Sequence, residues 1–191
     1  MNRRDSVRGM APAGPEGRTD AELIAAWRVG DEGAAADLVR RHTAAVARFL
    51  AAAGAGDDLD DLVQETFFRA FRRIKSFRGD ATFRTWVMAI GSNALKDVQR
   101  TRKRRVVVSI DDHEIPDDAA DPHGEAVGRE LERRMRAAVE TLTRLQRDVF
   151  LMRAQQGASY EEIAAVLGTT PGAARVHYHH AVKRLKEVLD P

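Results

Sequence analysis

A chain of 191 residues with 31 Lys and Arg against 29 Asp and Glu, a formal net charge of +2, has room for one domain or two small ones. It contains no cysteine, which excludes a disulfide framework, a thiolate nucleophile and a Cys-based zinc site and is compatible with a reducing cytoplasm. No apolar run approaches the length of a membrane span, so membrane insertion is not expected.

Residues 1–18 are basic but lack the apolar segment of a secretory signal, and a disordered tail is expected there. Thr19 and Glu22 have the spacing of a capping box in front of ELIAAWRVG, a short helix that Gly30 can end. Asp31 is placed to cap the next helix, EGAAADLVRRHTAAVARFLAAAG, whose inner stripe is Leu38, Val39, His42, Val46, Phe49 and Leu50. His42 falls on that stripe, which makes it a core or boundary histidine rather than a metal ligand.

Residues 57–105 carry the densest pattern. In DDLDDLVQETFFRAFRRIKSF the residues Leu59, Leu62, Val63, Phe67, Phe71 and Ile74 recur at helical spacing. Phe83, Trp86, Val87, Ile90, Ala94 and Val98 repeat the period in the segment that follows. Two such helices joined by a short Gly-containing link predict an antiparallel hairpin. The second helix runs out into Lys96, Arg100, Arg102, Lys103, Arg104 and Arg105, with Asp97 the only acid among them. Dense cations neutralise phosphates and release counterions, and flat rings stack on unpaired bases, so this helix predicts a nucleic-acid surface. Phe83, Trp86 and Ile90 share a face and most of them are expected in the core, with Trp86 divided between core and base contact.

Val106 to Ile110 is a β-branched run too isolated to form a sheet. Asp111, Asp112, Glu114, Asp117, Asp118, Asp121 and Glu125 follow with no Lys or Arg between them, which predicts an extended acidic linker. The spacing of its acids fits no calcium loop. A helix resumes with Val127, Leu131, Met135 and Ala138 on one face. Thr143 with Gln146, and Ser159 with Glu162, make two further capping boxes, and Gly157 and Gly168 stand where their helices can stop. Thr170 caps a last helix with Pro171 in its first position, where a missing N–H costs nothing.

The short helix, the turn at Gly168 and the capped last helix predict a helix-turn-helix, with Ala164 or Ala165 at the crossing and Ile163, Leu167, Val182 and Leu185 as core. Arg175, His179, His180, Lys183 and Arg184 point outward on the second helix, suited to base edges and phosphates. Of the three clustered histidines only His177 and His180 have a ligand spacing, and no carboxylate completes a site, so neither metal nor cofactor is expected.

These residues resemble a known family. DLVQETFFRAFRRIKSFRGDATFRTWVMAIGSNALKDVQRTRKRR resembles region 2 of bacterial extracytoplasmic-function sigma factors, the group 4 branch of the sigma-70 family, and LTRLQRDVFLMRAQQGASYEEIAAVLGTTPGAARVHYHHAVKRLKEVL resembles their region 4. The resemblance implies an all-α chain of two small domains: a tail over 1–18, region 2 over 19–105, an acidic flexible linker over 106–125 and region 4 over 126–191. It implies that Asp61, Gln64, Glu65 and Arg69 dock on the clamp coiled coil of core RNA polymerase. It further implies that Phe83, Trp86, Asn93, Lys96, Asp97, Arg100, Arg102, Lys103 and Arg104 serve promoter melting and the downstream element. Thr170, Arg175, Val176, His179, His180, Lys183 and Arg184 would then read the upstream element. Relatives commonly carry a Val-Lys-Ser-Arg-like run where this chain has Ala174, Arg175, Val176 and His177, which leaves the target sequence open.

The implied function is a promoter-specificity subunit of RNA polymerase in the cytoplasm, with promoter DNA as the second partner and no catalytic residues. No sensor extension is expected after region 4, so control by a separate anti-sigma protein is implied. Two other classes compete. A free-standing helix-turn-helix regulator leaves the basic-aromatic helix and the acidic linker without roles. A nuclease needs convergent carboxylates or a His–carboxylate set, which this pattern does not supply.

Overall fold

The structure is a computed structural model that describes residues 17–108 and 126–189. Residues 1–16 of the expected tail and 109–125 of the expected linker lie outside the described residues. Among the described residues there are eight α-helices and no strand: α1 (Asp20–Arg28), α2 (Glu32–Ala52), α3 (Leu59–Arg72), α4 (Phe83–Val108), α5 (Ala126–Glu140), α6 (Arg144–Gln156), α7 (Tyr160–Leu167) and α8 (Pro171–Leu189). Contacts divide the chain into two compact units, Met1–Arg41 and His42–Pro191, and the division falls inside α2.

In the first unit, the Thr19 side chain accepts from the Glu22 N–H and the Glu22 carboxylate accepts from the Thr19 N–H, completing the expected capping box of α1. Asp31 Oδ1 accepts from the Ala34 N–H at 3.2 Å, as a cap of α2 should. Arg18 ties the two starts together through Asp31 at 2.9 Å and Asp37 at 3.2 Å. Arg41 reaches Asp20 at 2.6 Å. Leu23, Ile24, Ala34 and Leu38 are buried.

In the second unit, α3 and α4 form the expected hairpin. Its inner faces bury Leu62, Phe67, Ala70, Phe83, Val87 and Ile90 beside Phe49 and Leu50 of α2, each large side chain contributing about 1.5–3 kcal/mol. Gly91 of α4 faces side chains that leave no room for one of its own, since a Cβ there would lie 3.1 Å from Thr66 Oγ1 and 3.3 Å from Leu50 Cδ2. Val106–Val108, expected as an isolated β-branched run, continue α4 as helix. Extending a formed helix adds a hydrogen bond per residue, and the β-branched penalty is only a few tenths of a kcal/mol.

The second half of this unit has its own cluster of Ala138, Val139, Leu142, Ala181 and Leu185, with Phe150 and Val188 against it. The capping boxes at Thr143–Gln146 and Ser159–Glu162 are both closed. Gly157 (φ 66°) and Gly168 (φ 65°) adopt the left-handed conformation that ends α6 and α7 without a Cβ penalty. Thr170 Oγ1 accepts from the Ala173 N–H at 3.1 Å and starts α8.

Within the second unit, polar bridges join α4 and the end of α2 to the helices that follow residue 126. Ser92 Oγ of α4 donates to Asp148 Oδ2 of α6 at 2.6 Å, and both residues are buried. Arg147 donates to the Ala53 carbonyl just past α2 and also to the Val139, Glu140 and Leu142 carbonyls at the end of α5. One guanidinium thus satisfies carbonyls at two helix C-termini.

Candidate polymerase and nucleic-acid interfaces

The outer face of α3 follows from its helical period. With Leu62 and Phe67 inward, Asp61 and Gln64 are exposed, while Glu65 and Arg69 are half-buried. Arg69 donates to Glu65 Oε1 at 2.6 Å and to Asp97 Oδ2 of α4 at 2.9 Å, and Asp97 also receives Arg100 at 3.2 Å. The Arg69 guanidinium holds the Asp97 carboxyl below its ordinary value. The structure therefore brings Glu65, Arg69, Asp97 and Arg100 into one chain of ion pairs that joins the two helices. Phe68 stands 57% exposed on the same face as Asp61 and Gln64, with the Arg72 guanidinium 5.5 Å from its ring centroid. The sequence pattern shows Phe68 only as an aromatic out of phase with the buried stripe.

Along α4, Phe83 is buried at 2% exposure against His42, Phe77 and Trp86. It supports the site from the core and presents no free face to a base. Trp86 is half-buried, 5.1 Å from the Phe77 ring, and lines a cleft of about 510 Å³ with Lys75, Phe77, Arg78, Asp80 and Val166, where Arg78 is paired with Asp80 at 3.0 Å. Rings and cations around a space of that size suit an unstacked base. Asn93, Lys96, Arg100, Arg102 and Arg104 are exposed further along α4. Arg102 reaches Asp58 at 2.7 Å. The side chain of Lys103 lies outside the described residues.

The α4 surface is met by the second half of the unit through residues that sequence reasoning missed. Arg144 donates to Asn93 Oδ1 at 2.7 Å and to Ser92 Oγ at 3.1 Å. Arg84 Nη1 donates to Gln156 Oε1 at 3.3 Å. Glu162 Oε1 accepts from the Thr82 N–H at 3.0 Å, so one carboxylate serves the starts of both α7 and α4. The Ser159 N–H above all, with that of Thr82 assisting, holds the Glu162 carboxyl below its ordinary value against the cost of burial. At Asp148 the balance reverses. Burial pushes its carboxyl up, opposed by the Ser92 hydroxyl and the charges of Arg144 and Arg147. The signal for Asp148 was present as an acid in phase with Val149, Leu151 and Met152, all of them buried.

In the helix-turn-helix, Ile163 and Ala164 are buried under α8, and Ala174, Ala181 and Leu185 are its inward residues. Arg175, Val176, His179, His180, Lys183 and Arg184 all lie on its exposed side, Val176 at 51% exposure. Thr170 is exposed at the start of the helix, with its hydroxyl engaged as the cap. An exposed helix with cations along its face, carried by a tight turn from a shorter helix, can enter a major groove.

Comparison with known proteins agrees with this arrangement. The family models for Sigma-70 region 2 and for Sigma-70, region 4 match residues 37–105 and 132–185. The chain is 30% identical over 182 residues to the ECF RNA polymerase sigma-E factor of Haemophilus influenzae, a match that covers 91% of this chain and 96% of the relative. This chain belongs to the ECF sigma factors. Its fold is similar to that of CnrH, solved in complex with the cytosolic domain of CnrY, with a TM-score of 0.68 and 30% identity over 90% of this chain and 97% of CnrH. It is also similar to the sigma factor RpoE solved with the anti-sigma factor NepR from Bartonella quintana, with a TM-score of 0.63 and 25% identity over 79% and 93% of the two chains. As a sigma factor it directs RNA polymerase to specific promoters and serves transcription initiation. No helix among the described residues is long and apolar enough to cross a membrane.

Proposed function

We propose that this ECF sigma factor divides its work among three surfaces. The outer face of α3, with Asp61, Gln64, Glu65 and the exposed Phe68, docks on core polymerase, and Arg69 links that face to α4. The cleft of Lys75, Phe77, Arg78 and Trp86 takes an unstacked promoter base. Asn93, Lys96, Arg100, Arg102, Lys103 and Arg104 hold the adjacent strand or duplex. The exposed side of α8 reads the upstream element through Arg175, Val176, His179 and His180, with Thr170, Lys183 and Arg184 toward the backbone. The observation that carries the reading is the cleft, where two aromatic rings, Lys75 and the Arg78–Asp80 pair stand at the start of a basic helix.

Three further assignments belong to this reading. A base or phosphate partner that needs Asn93 Oδ1 has to displace Arg144, which donates to that oxygen at 2.7 Å. The acidic linker carries charge suited to a basic channel of the polymerase. A separate anti-sigma protein controls the factor in the cytoplasm, a reading supported by the anti-sigma complex of the RpoE relative. Run-off transcription on genomic fragments, with core polymerase alone and with this chain added, tests the whole. New discrete transcripts that appear only with the chain are expected. Their absence, with tight duplex binding by the chain alone, would instead identify a free-standing regulator.

A further inference from the structure

Arg175 lies in the first turns of α8, exposed, and its guanidinium carbon is 5.3 Å from the centroid of the Tyr160 ring. Tyr160 opens α7, the other helix of the helix-turn-helix. Its ring is fixed from two sides. Tyr178, three residues on from Arg175 along the same helix, meets it edge to face at 6.2 Å, and Tyr178 in turn stacks on Phe150 at 6.0 Å. Arg153 lies 5.0 Å from the same ring and is pinned by donating to the Ala158 carbonyl at 2.8 Å. The ring is thus set by packing before DNA arrives.

A guanidinium that rests on an aromatic face keeps its N–H edge free for a planar acceptor pair, and the attraction is worth more as water is excluded. A long side chain held in one place also loses less freedom on binding. We propose that Tyr160 is a positioning residue for promoter specificity: it presents the Arg175 fork to the upstream element without touching DNA itself. The inference rests on the reading of α8 as the recognition helix. It assigns a specificity role to a residue of the first helix.

The test uses holoenzyme assembled from the full chain and core polymerase, selecting from duplexes randomised across the upstream element. Arg175→Ala flattens the preference at one base position. Tyr160→Leu flattens the same position and weakens binding to the preferred sequence by about 3- to 10-fold, whereas Tyr160→Phe, which keeps the ring, retains both. The double variant Tyr160→Leu/Arg175→Ala is no weaker than Arg175→Ala alone. Uniform weakening by Tyr160→Leu at all sequences, or penalties that multiply in the double variant, would overturn the proposal in favour of a packing role. If Arg175→Ala changes no position, the recognition reading of Arg175 fails and the proposal falls with it. A measurement on the unmutated chain guards against misfolding of Tyr160→Leu. The Arg175 Nε–H resonance, assigned by its loss in Arg175→Lys, should be shifted upfield by the ring, and a random-coil position would contradict the stacking.

Discussion

Asp148 is a carboxylate 3% exposed in the contact between α4 and α6, and burial outweighs its partners. Its folded carboxyl binds a proton more readily than the unfolded chain does, so its ionisation costs stability as pH rises above the ordinary value of 3.8 and through the raised one. Asp148→Asn keeps an acceptor for the Ser92 hydroxyl and removes the charge. It should therefore raise stability at neutral pH, with an advantage that shrinks as pH falls toward the ordinary carboxylate range, about 4, read as the difference in denaturant midpoint between variant and parent. Asp148→Ala leaves the buried Ser92 donor without its carboxylate and should cost about 1–3 kcal/mol. An advantage of Asp148→Asn that stays constant with pH would contradict the burial argument. On α8 the division is between base edge and backbone. Arg175→Ala should cost about 1–3 kcal/mol at one base position of the upstream element. Lys183→Ala, two turns later, should weaken all upstream elements alike and reduce the salt slope by roughly one. Binding isotherms of holoenzyme at several salt concentrations separate the two.

Helix α4 illustrates what an element gains from one small residue. Alanine is the better helix former by up to about 1 kcal/mol, yet a Cβ at Gly91 would press on Thr66 and Leu50. Thr66 has little room to yield, since it is fully buried and its hydroxyl donates to the Leu62 carbonyl at 2.6 Å. Gly91→Ala should therefore destabilise the hairpin, by about 1–3 kcal/mol in chemical denaturation. A stabilising result would mean that α3 and α4 can part at no cost. The helix-turn-helix is fixed by different means. The Ser159–Glu162 box starts α7, Gly168 stops it, and the Glu162 carboxylate gives its second oxygen to the Thr82 N–H at the start of α4. A local cap thus doubles as a long-range contact.

At the scale of the molecule, a sigma factor must bring a polymerase-docking face and two DNA-contacting faces to their partners. In the proposed division of surfaces, the exposed acid and amide on α3 belong to the docking face, and Arg69 ties that face to α4. Replacing Asp61 and Glu65 together with Arg reverses the charge of that face. Each lies outside the core, and the loss of the partly exposed Glu65–Arg69 pair should cost no more than about 1 kcal/mol. The double variant should lose co-purification with core polymerase while its circular dichroism stays helical. Undiminished co-purification would remove the docking role from this face.

The helices, their caps and the helix-turn-helix were legible in the sequence because their causes are local. Thr19, Thr143, Ser159 and Thr170 cap through neighbours three residues away, and the buried stripe of α3 is set by a period of about 3.6. The family resemblance was legible for the same reason, being carried by contiguous motifs. What only the tertiary structure decided depends on residues far apart in the chain. Phe83 and Trp86 share a helical face, but the packing of His42 and Phe77 buries the first and leaves the second at the cleft. Ser92 and Asp148 are 56 positions apart, and nothing local marks a serine as the partner of a buried acid. Arg147 looks like any surface cation of a polar helix until the ends of α2 and α5 bring their carbonyls to it. Periodicity fixes which way a side chain faces along its own helix, and only the packed chain fixes what it meets there.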